Sequence, residues 1–193
     1  MNHTYLRRKR LFDLLLALFL TLLLIIPVIL LVLLIKLTSK GPILYWSERI
    51  GVNNELFNMP KFRTMLIDTP ELPTHLLNDP ERYLTTIGAF LRKTSLDEIP
   101  QLYSILIGDM SFVGPRPALY NQEDLKELRS KKGVHMLTPG LTGWAQVNGR
   151  DELSIEMKVH YDEEYLHQAS LLLDLKIMFY TLFKVLKKEG IKH

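Results

Sequence analysis

The chain has 193 residues, 47% of them hydrophobic and 23% charged, and it contains no cysteine. That length suits one domain with room for an appendage. The composition excludes a disordered tail, a collagen-like repeat and a disulfide scaffold, and zero cysteine excludes thiolate metal sites, thiol nucleophiles and thiol redox chemistry. A formal charge of +3 gives no argument for a nucleic-acid partner.

The hydrophobic residues are concentrated near the N-terminus. Leu14–Ile35 is an uncharged run of 22 residues in which only Thr21 and Pro27 interrupt the apolar sequence. As a helix it is about 33 Å long, enough to cross a bilayer core. It is too long for a cleaved signal, and no small-x-small site follows it. Residues 1–37 therefore read as a permanent membrane-associated element, and residues 38–193 as a soluble domain. Pro27 removes a backbone donor and clashes with the preceding turn, which predicts a kink. Arg7, Arg8, Lys9 and Arg10 precede the run and Lys36, Lys40 and Arg49 follow it, so the positive-inside rule selects no orientation. Two topologies stay open at this point: a helix that bends at Pro27 and leaves on the side it entered, and a kinked single span. Asp13 reads either as an ion-pair partner of Lys9 or Arg10, or as a carboxylate snorkelling at the boundary.

The remainder reads as α+β, mostly helical. Residues 43–49 and 56–65 are short, aromatic-rich segments separated by Gly51 and Asn53-Asn54, which predicts a β-hairpin with Pro60 marking an edge. Pro70, Pro73 and Pro80 make residues 68–80 an exposed loop. Helices are expected over 80–93 and from Ser95 to about Ile107, ended by Gly108-Asp109. A charged helix follows over 121–132, an amphipathic one over 154–168, and a long apolar one over 170–188. Lys184, Lys187 and Lys188 near its end suit the helix dipole.

Three segments carry the chemistry. In Arg92-Lys93-Thr94-Ser95-Leu96-Asp97-Glu98, Ser95 and Glu98 have the spacing of a capping box. A carboxylate in the first helical turn faces free N–H groups and stays ionised, and the same spot suits a phosphate. Asp97 and Glu98 can divide the work, one attacking and one holding a divalent cation. In Gly114-Pro115-Arg116-Pro117, two prolines lock the backbone on either side of one guanidinium, a rigid presentation suited to bidentate phosphate binding. In residues 138–150, glycines permit close approach to a ligand, and Trp144, Gln146, Asn148 and Arg150 offer stacking and hydrogen bonds. The spacing matches neither a P-loop nor a dinucleotide fingerprint. His75, His135, His160 and His167 show no metal-ligand spacing.

Six stretches in order resemble a known family: Lys9–Asp13, Lys61–Met65, Arg92–Leu102, Gly108–Pro117, Pro139–Arg150 and Leu173–Ile177. Together they resemble the bacterial sugar transferases, the small monotopic phosphoglycosyl transferases, and within them the enzymes that start a capsule-type repeat unit. The resemblance implies transfer of a sugar-1-phosphate from a UDP-sugar to a polyprenyl phosphate, usually undecaprenyl phosphate, with release of UMP. It implies that Asp97 is a covalent nucleophile, and that Glu98 with Asp97 places Mg²⁺, for which Mn²⁺ can substitute. Lys61, Arg150 and Asp174 map to other polar positions of the family's site, and Arg116 to its phosphate-facing loop. It also implies a re-entrant membrane helix bent at Pro27 and a catalytic domain of helices packed with a β-hairpin. That domain would lie on the cytoplasmic face of the bacterial inner membrane.

Some positions depart from the family pattern. Ser47 stands where many relatives carry Gln, Pro60 where many carry Tyr, and Ile26 where Ser often precedes the proline. The last removes a hydroxyl that can bond the carbonyl freed at the bend. Two other classes of function compete: a non-catalytic membrane-anchored scaffold for glycan enzymes, and a membrane-tethered nucleotide-sugar hydrolase. The sugar and the oligomeric state are not legible in the residues.

Overall fold

The computed structural model describes residues 3–70, 79–149 and 152–187. Two helices open the chain, α1 (His3–Leu23) and α2 (Ile25–Thr38), bent by 61° relative to one another. The break falls at Leu24, three residues before the proline. The absent N–H of Pro27 and the clash of its ring with the carbonyl four residues back, on Leu23, explain that offset. Backbone bonds continue on both sides, from Leu24 N to Leu20 O at 2.9 Å and from Val28 N to Leu24 O at 2.8 Å. Among the described residues no single helix is long and apolar enough to cross a membrane; the bent pair together meets the length and composition.

The α1–α2 pair is inside-out compared with a soluble hairpin. Leu15, Phe19, Leu22, Leu23, Ile26 and Leu30 are exposed. The buried positions of α1 are Lys9, Asp13 and Ala17, one face at four-residue spacing. Asp13 neither snorkels nor pairs with Arg10. It is buried and accepts a hydrogen bond from the Phe112 backbone N–H at 3.2 Å. Lys9 bonds Asp174 Oδ2 at 3.1 Å, and Arg10 donates to Ile105 O at 2.5 Å and Leu106 O at 2.7 Å. The helix packs against protein along this stripe, and side chains there find partners instead of water.

The expected hairpin is present as β1 (Leu44–Ile50) and β2 (Leu56–Phe62), antiparallel, with Ser47 opposite Met59. Pro60 fits because a two-stranded sheet has only edge strands. The expected helix over 80–93 is instead a 3₁₀ turn, Pro80–Tyr83, followed by α3 (Gly88–Lys93). Most of the expected loop over 68–80 lies outside the described residues. The helix expected from Ser95 is also split: Leu96–Glu98 is a 3₁₀ turn, and α4 (Gln101–Ile107) begins after Pro100. Ser95 takes a left-handed conformation, φ 56°, and Pro100 lacks the N–H that would continue a helix across the junction.

A second sheet was not foreseen. β3 (Ser111–Val113) pairs in parallel with β4 (Gly140–Thr142), joining the second and third chemical segments. Glycine permits it: a Cβ on Gly140 would collide with the Gly114 backbone nitrogen. Short helix α6 (Trp144–Val147) follows β4. The charged and amphipathic helices are α5 (Glu123–Lys131) and α7 (Ile155–Gln168), the latter capped by Ser154, whose Oγ accepts from Met157 N at 3.3 Å. The apolar helix is α8 (Leu171–Lys187). The main core gathers Ile105, Met110, Val113 and Ile177 with Ala17 of α1, and a second cluster joins Leu31 and Ile35 of α2 to Phe62 and Leu91.

Asp174 is 1% exposed and is held by Lys9, Tyr5 and Tyr165, whose hydroxyl lies 2.6 Å from Oδ1. Removing one partner of a buried pair strands the other charge. Asp174→Ala should therefore lower stability by roughly 3–5 kcal/mol, measured by chemical denaturation in detergent, and Lys9→Met should cost less in the Asp174→Ala background than alone.

Candidate active site

Asp97 and Glu98 lie on the 3₁₀ turn between α3 and α4. The expected capping box is absent: Ser95 makes no side-chain cap bond, and Glu98 Oε1 accepts from Lys61 Nζ at 2.8 Å. The lysine comes from β2, so hairpin and turn meet through this ion pair, both side chains being largely shielded from solvent.

Asp97 is buried beside the pair. Burial pushes its carboxyl up to about 6; Lys61 pulls the other way, Glu98 adds to the rise, and Arg92 opposes it. The sequence pattern had placed this carboxylate at a helix N-terminus, held ionised by free N–H groups. On a buried 3₁₀ turn desolvation dominates instead, and the group titrates just below neutrality. Arg92, from α3, donates Nε–H to Thr64 Oγ1 at 2.9 Å. Burial lowers its guanidinium and Asp97 opposes that shift. Lys61, Arg92, Asp97 and Glu98 thus form one electrostatic unit.

Lys61 and Glu98 open onto a cleft that Arg116 also lines. Arg116 stands on the loop that follows β3, where Arg129 of α5 bonds its carbonyl at 2.9 Å. Gln101, at the start of α4, completes that side. The sequence reading missed Arg49, counted there as a charge flanking the apolar run. It lines the same cleft. A signal was available: strand periodicity across the hairpin puts Arg49, Met59 and Lys61 on one face, because Ser47 is opposite Met59 and Tyr45 opposite Lys61.

Other named residues lie elsewhere. Asp174 is tied to Lys9, Tyr5 and Tyr165 at the α1–α8 junction. Gln146 Nε2 bonds Leu141 O at 3.1 Å and Asn148 Nδ2 bonds Trp144 O at 2.8 Å, so both serve the local turn around α6. The Trp144 indole N–H is bonded to Glu164 Oε2 at 2.9 Å. Arg150 lies outside the described residues. Pro27 is at the α1–α2 bend, in the first turn of α2.

A buried carboxylate, a second acid beside it and cations close enough to act on it make a grouping whose charge suits a phosphate. A sequence model of the family described as bacterial sugar transferase matches residues 4–188. The chain belongs to the bacterial sugar transferase family. It is 41% identical over 184 residues to an uncharacterized sugar transferase, EpsL, of Bacillus subtilis, covering 95% of this chain and 90% of that protein. It is 40% identical over 201 residues to the exopolysaccharide production protein ExoY of Rhizobium meliloti, covering 94% and 87% of the two chains. It is also 41% identical over 185 residues to the UDP-glucose:undecaprenyl-phosphate glucose-1-phosphate transferase of Escherichia coli, covering 91% of this chain but 39% of that longer protein. This bacterial sugar transferase therefore spans nearly the whole of its shorter relatives and little more than a third of that longer one.

The cause of the Asp97 shift makes it testable. Carboxyl-carbon NMR should place Asp97 near pH 6. Lys61→Met removes the largest opposing charge, so the midpoint should move to higher pH; a midpoint that stays put or falls would contradict the geometry.

Proposed function

We propose that this sugar transferase moves a sugar-1-phosphate from a UDP-sugar to undecaprenyl phosphate, releasing UMP, through a covalent intermediate on Asp97. The observation that carries the reading is the buried Asp97 carboxylate, next to Glu98 and under the electrostatic influence of Lys61 and Arg92, in a chain of this family. Relatives named for undecaprenyl-phosphate sugar transfer support the substrate classes.

In the first half-reaction an Asp97 carboxylate oxygen attacks the phosphorus that bears the sugar. The bond from that phosphorus to the bridging oxygen breaks, and UMP leaves with the electron pair. In the second, an oxygen of the lipid phosphate attacks the same phosphorus and the Asp97 carboxylate departs, leaving a lipid-diphosphate-sugar. Lys61 and Arg92 favour the ionised carboxylate before attack, and Arg116 faces the phosphate oxygens. Burial that lifts Asp97 towards neutrality makes it a better nucleophile than a surface aspartate while leaving it mostly ionised at pH 7.

The donor set fits Mg²⁺. Two adjacent carboxylates supply hard oxygen ligands, and no cluster of three acidic or histidine side chains occurs among the described residues. A metal that takes its other ligands from water and substrate phosphate matches that pair. Asp97 and Glu98 would hold it, and it would offset the diphosphate's charge.

The apolar α1–α2 pair fits a re-entrant membrane element. Its bend, its exposed apolar surface and the basic residues at both ends agree with entry and exit on the cytoplasmic face of the inner membrane. A site tethered there meets the lipid phosphate without extracting the lipid.

Donor without lipid should add one phospho-sugar mass to the Asp97 peptide and release one UMP per enzyme. Asp97→Asn should abolish both while the melting temperature stays within a few degrees. No adduct under rapid quench, with kinetics requiring both substrates bound, would refute the covalent route. Sustained UMP release without lipid phosphate would identify a hydrolase. Turnover should cease in EDTA and return with Mg²⁺, and Glu98→Gln should raise the Mg²⁺ concentration required. Because the chain lacks cysteine, Asn2→Cys gives a clean topology test. An impermeant thiol reagent should label it only after intact cells are permeabilised; labelling before that would indicate a single span.

A further inference from the structure

Arg49 is unexplained by the proposed chemistry. It sits near the end of β1, and the chain around it is pinned to the segment after the Pro115-Arg116-Pro117 loop. Arg49 forms an isolated antiparallel bridge with Leu119, and Ile50 N bonds Ala118 O at 3.0 Å. The backbone therefore carries Arg49 to the loop that presents Arg116. Its Nε bonds Ser47 Oγ at 2.9 Å and one terminal nitrogen reaches Pro117 O at 3.4 Å. These tethers orient the guanidinium without neutralising it.

Both arginines line the cleft that holds Lys61 and Glu98. Among the described residues neither forms an ion pair with a carboxylate within 4.0 Å, whereas Arg129 and Lys61 both do. Burial, and then Arg116 itself, depress the Arg49 guanidinium to about 10, so it remains cationic at neutral pH. Glu98, which also acts on Arg49, is already shared with Lys61, so an anion between the two like charges would relieve their repulsion.

We infer that Arg49 is a second anion-binding residue, set against Arg116 so that the two guanidiniums together hold phosphate oxygens in the cleft beside Lys61 and Glu98. The inference rests on the proposed reaction for the nature of the anion, which is a phosphate group of either the nucleotide donor or the polyprenyl acceptor. Forked donors on two sides of one phosphate would fix its orientation, which a single arginine cannot do.

The test uses the full chain in detergent with Asp97→Asn, so that nothing turns over, and measures binding of UDP and, separately, of a short-chain polyprenyl phosphate. Arg49→Met should weaken at least one probe roughly ten- to hundredfold, and Arg49→Lys should fall between. Loss confined to UDP assigns the pair to the donor, and loss confined to the polyprenyl phosphate assigns it to the acceptor. Should Arg49→Met fail to fold, Arg49→Gln is judged by the same threshold. Unchanged binding of both probes, or no binding of either by the Asp97→Asn parent, would overturn the inference. Sugar-phosphate transfer by the wild-type chain is assayed alongside. Transfer by an enzyme indifferent to Arg49 sinks this inference alone, while absence of transfer from every UDP-sugar sinks the proposed reaction whatever Arg49 does.

Discussion

Lys9, Arg10 and Asp13 occupy little more than one turn of α1, and each is tied to a different part of the domain. Lys9 bonds Asp174 of α8, Arg10 bonds carbonyls at the end of α4, and Asp13 bonds the backbone of β3. α4 follows the turn that carries Asp97 and Glu98, and β3 leads into the loop that carries Arg116. One set of polar side chains near the start of the apolar run thus fixes the far ends of both site-bearing segments. Burying a lysine and an aspartate is costly unless each is paired and bonded. Here both are, and the penalty for displacing α1 is the loss of several such bonds at once.

The same constraint ties the apolar pair to the site. Ala17 belongs to the main core, and Leu31 and Ile35 of α2 pack with Phe62 and Leu91. Phe62 directly follows Lys61, and Leu91 directly precedes Arg92. The two cations that flank Asp97 therefore stand next to residues anchored on α2. A shift of the bent pair would be felt at the carboxylate through rigid, close-packed neighbours.

Among the described residues the site carries an excess of positive charge. Arg49, Lys61, Arg92 and Arg116 stand with Asp97 and Glu98, and burial moves Asp97, Arg49 and Arg92 towards their neutral forms. That arrangement is poorly balanced alone and well balanced with a phosphate present. The cations also differ in origin: one from each strand of the hairpin, one from α3 and one from the loop after β3. No single segment of the chain contains the site.

Much of this was legible in the residues. The 22-residue apolar run, the proline that bends it, the hairpin and the helices α5, α7 and α8 follow from hydropathy, period and turn chemistry, which are local. The pairing of Asp97 with Glu98 and the rigid presentation of Arg116 are local too. Local rules misread the segment around Ser95, where the capping-box pattern was real but Pro100 and a left-handed Ser95 broke the helix and Lys61 claimed Glu98. The family resemblance maps Asp174 to a polar position of the site, and its bonds here are to Lys9, Tyr5 and Tyr165. The parallel pairing of β3 with β4, the carriage of Arg49 to Arg116 and the rise of the Asp97 carboxyl were decided only by the tertiary structure. Each depends on which distant segment comes to lie alongside and on how much water that contact removes, and neither quantity is written in the spacing of neighbouring residues.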